Sequence, residues 1–155
     1  MSLLTVEAPR SLLEFIGREL GVSEWLVVTE DHIRRFAEVT EDRQWIHVDA
    51  GRARKESPYR TTIAHGFLTL SLLSYFLNQL LQIRSGVKMG INYGLNRVRF
   101  PAPVIAGSQV RGRVTILSVS EIEHSVQVTF SIVVECREAP KPCCVAEWIV
   151  RYYTE

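Results

Sequence analysis

Asp42, His47 and Gly66 have the side-chain or backbone chemistry needed for proton transfer beside a carbonyl group. A carboxylate and an imidazole that face the same water can activate it, because one accepts its proton while the other orients it. On a single helix Asp42 and His47 would point apart, so they converge only if the chain turns between them. The alternative is that Asp42 pairs locally with Arg43 and that His47 is a structural loop histidine.

Gly66 lies at the predicted start of an apolar helix, directly after His65. The first N–H groups of a helix have no partner within the helix and lie at the positive end of its dipole. Such an N–H can bind a carbonyl oxygen as it gains negative charge, and glycine lets that carbonyl approach closely. The alternative is an ordinary helix start. We interpret His65 as a structural or loop-orienting residue.

Two predicted helices flank the segment that carries the candidate pair. The first covers residues 30–40 and has Thr29 as its N-cap. Residues 41–63 show no sustained apolar period, and a long irregular loop between helices is usually functional or disordered. Its acidic and histidine side chains favour function. The second helix begins at Gly66 and is apolar almost all round, which is typical of a helix buried on most sides.

The second half of the chain shows the alternation of apolar and polar residues that is typical of strands with one buried face. Alternating stretches lie at residues 109–116, 126–136 and 144–152. Residues 89–100 are a further predicted strand, which Pro101 ends. The predicted fold class is therefore α+β. A long central apolar helix wrapped by a curved antiparallel sheet is the hot-dog architecture.

The N-terminal region, residues 1–22, is predicted to be a helical extension, with an amphipathic helix at residues 11–20 that ends at Gly21. No repeat or linker divides the chain, so residues 1–155 are predicted to form a single hot-dog domain. An antiparallel sheet of this kind has an exposed edge, which is commonly covered by a second copy. We therefore expect a homodimer.

The composition limits the partners. The chain has 18 basic and 17 acidic side chains, so it has no field that would attract nucleic acid or an anionic membrane. Its most apolar stretch, residues 67–83, is interrupted by polar side chains such as Ser71 and Ser74, which makes it a poor membrane span. The 3 cysteines lack the spacing of a zinc or redox motif. We expect a cytoplasmic protein that binds a small molecule.

Three stretches, residues 40–49, 63–68 and 92–104, together resemble the MaoC-like dehydratase family. The best-known members of that family are (R)-specific enoyl-CoA hydratases. Asp42 and His47 match the two catalytic positions of the family, at the same spacing. Gly66 matches its oxyanion-hole position, and Ser74 falls where some hydratases place a serine near the catalytic aspartate.

The sequence departs from the family pattern between the two catalytic positions. Glu41 stands at the usual glycine, Gln44 at the usual asparagine and Trp45 at the usual proline. The resemblance implies that Gln44 supplies the same amide hydrogen bonds from a longer side chain. It implies that Trp45 fills space near the site. These departures affect the expected acyl substrate more than the expected reaction.

The resemblance implies a hydro-lyase reaction on a coenzyme A thioester, with no metal and no other cofactor. Asp42 and His47 would activate a water that adds to C3 of a trans-2-enoyl-CoA, while the Gly66 N–H holds the thioester oxygen. The product would be an (R)-3-hydroxyacyl-CoA, and the reverse reaction is dehydration. Two alternatives remain open, namely a hot-dog thioesterase and a non-catalytic acyl-CoA-binding or scaffold subunit.

Overall fold

The computed structural model describes residues 3–154; Met1, Ser2 and Glu155, which belong to the predicted domain 1–155, lie outside the described residues. The first half contains short strands and all the helices of the described chain: β1 (Leu4–Val6), a 3-10 helix (Pro9–Phe15), β2 (Glu19–Val22), β3 (Leu26–Val27), α1 (Glu30–Thr40), α2 (Trp45–Val48), α3 (Ala50–Glu56), α4 (Gly66–Ser71) and α5 (Leu73–Asn78). The second half contains strands: β4 (Leu81–Ile83), β5 (Met89–Arg99), β6 (Gln109–Ile122), β7 (Ser125–Cys136) and β8 (Cys144–Tyr153).

The main sheet is antiparallel, with the strand order β2-β6-β7-β8-β5 and with β3 also paired to β6. Phe130 of β7 lies between Ile116 of β6 and Trp148 of β8, and this row illustrates the buried face. Register shifts interrupt the β2–β6, β6–β7 and β5–β8 pairings. Such bulges bend strands and increase their twist. Together with the helices, this sheet confirms the predicted α+β hot-dog fold.

The sheet approaches the central helices most closely at Gly112 of β6. A Cβ at this position would lie 2.7 Å from the Cβ of Phe76, a fully buried residue of α5. Real carbon atoms do not approach so closely, so a side chain here would push α5 away from the sheet. The lack of a side chain at Gly112 therefore sets the distance between the two layers.

The predicted single central helix is divided into α4 and α5 at Leu72. The N–H of Leu72 donates to Thr69 over 3.2 Å, a tighter turn than in an α-helix, and the N–H of Phe76 donates back to Leu72 over 3.1 Å. The apolar run also continues past the helix, because Leu81 begins β4 and pairs in parallel with Leu4. Apolar periodicity cannot separate a buried helix end from a buried short strand. No helix within residues 3–154 is long and apolar enough to cross a membrane.

The predicted helical extension at residues 1–22 is wrong over most of its length. Among residues 3–22, only Pro9–Phe15 is helical, with 3-10 geometry, and strands β1 and β2 lie on either side of it. Gly21 does not end a helix; it lies in β2, at an irregularity in the pairing with β6. Pairing with a distant strand overrides the local helical pattern here, as tertiary context commonly does.

The predicted loop at residues 41–63 contains two short helices, α2 and α3. Asp49 caps α3, since its carboxylate accepts a hydrogen bond from the N–H of Arg52 over 2.8 Å. Helices of this length present too few residues to establish an apolar period. The segment is therefore ordered, although its pattern resembles that of a loop.

Candidate active site

The predicted helix over residues 30–40 is confirmed as α1, and its two ends have different chemistry. At the start, the Thr29 hydroxyl accepts from the N–H of His32, while the His32 ring accepts from the N–H of Thr29. At the end, Glu41 adopts a left-handed conformation with φ +59°. This residue turns the chain immediately before Asp42, so the turn that Asp42 and His47 require is present.

His47 lies on α2, half-buried, and a backbone carbonyl fixes its tautomer. Its Nδ1 atom is 2.7 Å from the carbonyl oxygen of Ile63. Because a carbonyl can only accept a hydrogen bond, Nδ1 carries the ring proton and Nε2 has a free lone pair. Burial lowers the pKa of His47, and the adjacent His65 acts in the same direction; the bond to Ile63 and the Asp42 charge partly oppose them. His47 is thus suited to accept a proton at Nε2.

His65 is buried between the candidate pair and the helix α1. Its Nε2 lies 2.9 Å from the backbone carbonyl oxygen of Asp42 and 4.0 Å from the carboxylate of the same residue. Its ring stacks on His47 with centroids 3.8 Å apart, and Phe36 covers it at 5.1 Å. One ligand atom from each of Asp42, His47 and His65 lies within 4.8 Å of the others. The structure therefore brings the predicted pair together, with His65 as a third member.

A cavity of about 320 Å³ contains both His47 and Gly66. Within the described chain, the N–H of Gly66 donates to no protein acceptor. A Cβ at this glycine would lie 3.0 Å from the ring of Phe100, which forms another wall of the cavity. The Asp42 carboxylate is more than half exposed and lies at the edge of this arrangement. A residue with a proton acceptor and a residue with a hydrogen-bond donor thus line the same cavity.

The comparison with known proteins decides the family. The family model for the MaoC like domain matches residues 12–136. The chain belongs to this family. It is 47% identical over 149 residues to 3-hydroxyacyl-thioester dehydratase Z of Mycobacterium tuberculosis, covering 96% of this chain and 97% of the relative.

This MaoC-like chain is also similar to a second sequence relative and to a solved structure. Nodulation protein N of Rhizobium leguminosarum bv. viciae is 48% identical over 136 residues, covering 86% of this chain and 84% of that protein. The R-hydratase PhaJ1 of Pseudomonas aeruginosa, in its unliganded form, is 23% identical and has a TM-score of 0.68, covering 90% of this chain and 83% of that structure. The latter likeness supports the fold alone.

Two predicted site residues of the MaoC-like chain lie away from this cavity. Gln44 is exposed, and within residues 3–154 its side chain makes no hydrogen bond; only its carbonyl is used, accepting from the N–H of His47 over 2.9 Å. Ser74 is exposed on α5 and lines a separate cavity of about 280 Å³ beside β5. Within one copy of the chain, Ser74 and Asp42 are not brought together.

The departures from the family pattern have local structural consequences. Gln44 and Trp45 occupy the N-cap and first positions of α2, where asparagine and proline would be favoured. Gln44 provides no side-chain cap to α2. Trp45 instead packs under the Arg52 guanidinium of α3, which is 4.5 Å from its ring. Trp45 therefore joins α2 to α3 and does not line the cavity.

Residues that the sequence did not single out also contribute to the cavity, notably Thr69 and Phe100. Thr69 is a buried hydroxyl residue on a mostly apolar helix, and that combination was a usable signal. Phe100 gave no signal, because only the tertiary structure places it against Gly66. Two histidines and a carboxylate are ligand types that a divalent cation accepts, and one ligand atom from each of Asp42, His47 and His65 lies within 4.8 Å of the others.

Proposed function

We propose that this MaoC-like chain interconverts a trans-2-enoyl thioester and an (R)-3-hydroxyacyl thioester by adding or removing water. The observation that carries the proposal is one cavity lined by both His47 and Gly66. The tautomer of His47 leaves Nε2 with a free lone pair, the Gly66 N–H has no acceptor among the described residues, and Asp42 lies close to His47. The similarity to a named 3-hydroxyacyl-thioester dehydratase over nearly the whole chain supports the same reaction.

In the hydration direction, Asp42 and His47 activate one water. The oxygen of that water forms a bond to C3, while the proton it loses is accepted within the pair and a proton is delivered to C2. Negative charge accumulates on the thioester oxygen during this step, and the Gly66 N–H stabilises it. A neutral imidazole with a free Nε2 is the form that can accept the proton, which is the form that burial of His47 favours.

Coenzyme A is the proposed carrier, and no metal or other cofactor is proposed, because acid–base groups and one N–H donor suffice for the addition of water. Dialysis against a chelator such as EDTA should leave the turnover number unchanged. A loss of activity that added zinc restores would contradict this part of the proposal. It would assign Asp42, His47 and His65 a metal-binding role.

We propose a homodimer that forms through β5. This strand pairs only with β8 among the described strands, so its other edge is open along its length. Most of its residues are exposed, including four large apolar ones: Met89, Ile91, Tyr93 and Leu95. A second copy would cover both the edge and these side chains. Light scattering should give twice the mass of the 17.7 kDa chain.

We also propose a cytoplasmic location, where thiols remain reduced. Cys136, Cys143 and Cys144 are buried free thiols, and burial raises the pKa of Cys143 to about 12. Such thiols are poorly reactive in the folded protein. If cells are lysed directly into denaturant with a thiol reagent, the reagent should therefore label all three cysteines of the chain.

One assay separates the proposed reaction from its alternatives. Purified protein is mixed with a short trans-2-enoyl-CoA, and the absorbance of the enoyl thioester is followed together with the release of free thiol. Loss of absorbance without thiol release is the expected result. Thiol release indicates the thioesterase, and the absence of both signals over a series of chain lengths indicates a non-catalytic subunit. Oxidation of the product by an (R)-specific but not an (S)-specific dehydrogenase tests the stereochemistry.

A further inference from the structure

We propose that His65 is a positioning residue. Its Nε2–H donates to the main-chain carbonyl of Asp42, and its ring stacks on the ring of His47 and holds it in place. This inference deepens the proposed function and rests on it. His65 touches no substrate in this view and acts only through the two residues that do.

The tautomer follows from the contacts of the two ring nitrogens. Nε2 of His65 lies 2.9 Å from the Asp42 carbonyl oxygen, which can only accept, so Nε2 carries the proton. Nδ1 is buried and has no partner among the described residues. A second proton on Nδ1 would bury an unpaired donor and place a charge against the His47 ring 3.8 Å away. The geometry therefore fits only a neutral ring that donates from Nε2.

The Asp42 main chain depends on this bond more than on any local contact. Glu41 holds the preceding residue in a left-handed turn, and the N–H of Asp42 reaches the Thr40 hydroxyl only at 3.4 Å. Among the described contacts, the Asp42 carboxylate accepts no side-chain hydrogen bond, and its nearest basic nitrogen is His65 Nε2 at 4.0 Å. The position of this carboxylate is therefore set by the Asp42 backbone. His65, which is only 3% exposed, holds that backbone in place.

A single short stretch of chain, residues 63–66, contacts or contributes every residue of the candidate site. The Ile63 carbonyl fixes the tautomer of His47, the His65 ring holds Asp42, and Gly66 lines the cavity. The Ala64 N–H ties this stretch to the Val104 carbonyl over 2.8 Å. Errors in the placement of His65 should therefore affect the proton-transfer geometry more than the binding of the thioester.

Three variants of one residue provide the kinetic test. The terminal amide of His65→Gln can place an N–H near the former Nε2, whereas His65→Asn places it near Nδ1 and His65→Leu provides none. We expect the leucine and asparagine variants to lose about 100-fold in kcat with little change in KM, because small displacements of catalytic groups cost about this much. The glutamine variant should retain most of the kcat. Leucine or asparagine variants as active as wild type, or a glutamine variant as impaired as both, would overturn the inference.

A second measurement does not depend on activity. Long-range ¹H–¹⁵N spectra of the imidazoles at neutral pH should show the proton of His65 on Nε2 and that of His47 on Nδ1. If these tautomers are found but wild-type protein hydrates no enoyl thioester, the proposed function fails while the positioning contact stands. If wild type is active but His65 carries its proton on Nδ1, the inference fails alone. Thermal unfolding identifies any variant that does not fold, and the remaining variants then decide.

Discussion

The main sheet and the segment from Glu41 to Gly66 are built in opposite ways. Strands β6, β7 and β8 pair over 10 or more residues each, with one register shift between β6 and β7, and their inner side chains are buried. The segment consists of two short helices, includes two non-glycine residues with positive φ, Glu41 and Arg60, and has an uncapped helix start at Gln44. The difference indicates that stability and reaction geometry are supported by different parts of the chain, so substitutions should change one without the other.

Substitution of the candidate pair should give the largest effect. Asp42→Asn and His47→Gln each remove a proton-handling group, so we expect turnover to fall about 100- to 10,000-fold. Because the Asp42 side chain is more than half exposed, its replacement should change the melting temperature little. Steady-state kinetics and thermal unfolding of the same preparations test this. Near-normal rates in both variants would remove these residues from the mechanism.

Two glycine-to-alanine variants test whether stability and reaction rate depend on different regions. One should reduce mainly stability, and the other should reduce mainly rate. Gly112→Ala places a Cβ 2.7 Å from the backbone-proximal Cβ of Phe76, which cannot move without moving α5. We expect it to destabilise the protein by about 1–3 kcal/mol, measured by denaturant unfolding. Gly66→Ala meets the Phe100 ring at 3.0 Å, and Phe100 is 41% exposed, so its ring has room on the solvent side to shift.

Gly66→Ala should therefore unfold near the wild-type midpoint and yet lose about 100-fold in kcat/KM, since its methyl group enters the cavity beside the N–H donor. The rate per folded molecule of Gly112→Ala should stay near that of wild type. The opposite pattern, with stability lost at Gly66 and rate lost at Gly112, would show that the two regions are not separable.

The pH dependence of the reaction reports on His47. Its pKa is lowered from the ordinary 6.5, chiefly by burial, so the ring stays unprotonated at somewhat lower pH than a free histidine does. We expect kcat/KM to be constant near neutral pH and to fall on acidification, with a midpoint below 6.5. Stability changes with pH in the same direction. The unfolded chain binds a proton at His47 more readily than the folded chain does. The contribution of neutral His47 to the free energy of unfolding is therefore lost as the pH falls from 6.5 through the pKa of the folded state. An acid midpoint above 6.5 would contradict the assignment.

The smallest effect is expected at Glu41, where a left-handed residue stands in place of the usual glycine of the family. A side chain in this conformation costs about 1 kcal/mol, so Glu41→Gly should stabilise the protein by up to that amount, measured by chemical denaturation. The exposed ion pair with Arg43 that is lost contributes little. Arg60→Gly, at the same φ of +59°, is a matched control outside the cavity-lining residues. A loss of stability in both variants would show that neither backbone turn is strained.

The sequence alone was sufficient wherever side chains alternate or cap locally. Helix α1 with its Thr29 cap and the long strands β5 to β8 follow from such patterns. Pairings between distant short segments carry no local signal, which is why the ends of the central helix and the N-terminal strands were predicted incorrectly.

The candidate site shows the same limit. The spacing of Asp42 and His47 left a structural alternative open, and the family resemblance implied that both act with Gly66. The structure places Asp42 close to His47, and His47 lines one cavity with Gly66. The stacking of His65 on His47 depends on how residues 63–66 return to α2, which no local rule specifies. The resemblance implied that Gln44 supplies amide hydrogen bonds at the site, but among the described residues its side chain neither caps α2 nor lines the cavity.

The parallel pairing of β1 with β4 has a consequence for the order of events during synthesis. Leu4, Thr5 and Val6 find their partners only at Leu81, Gln82 and Ile83. The strand β2 stays unpaired even longer, because its partner is residues 113–115 of β6. At about 5–20 residues per second, the ribosome holds these early strands without partners for several seconds. The two amino-terminal strands therefore expose unpaired edges until β4 and β6 have been synthesised.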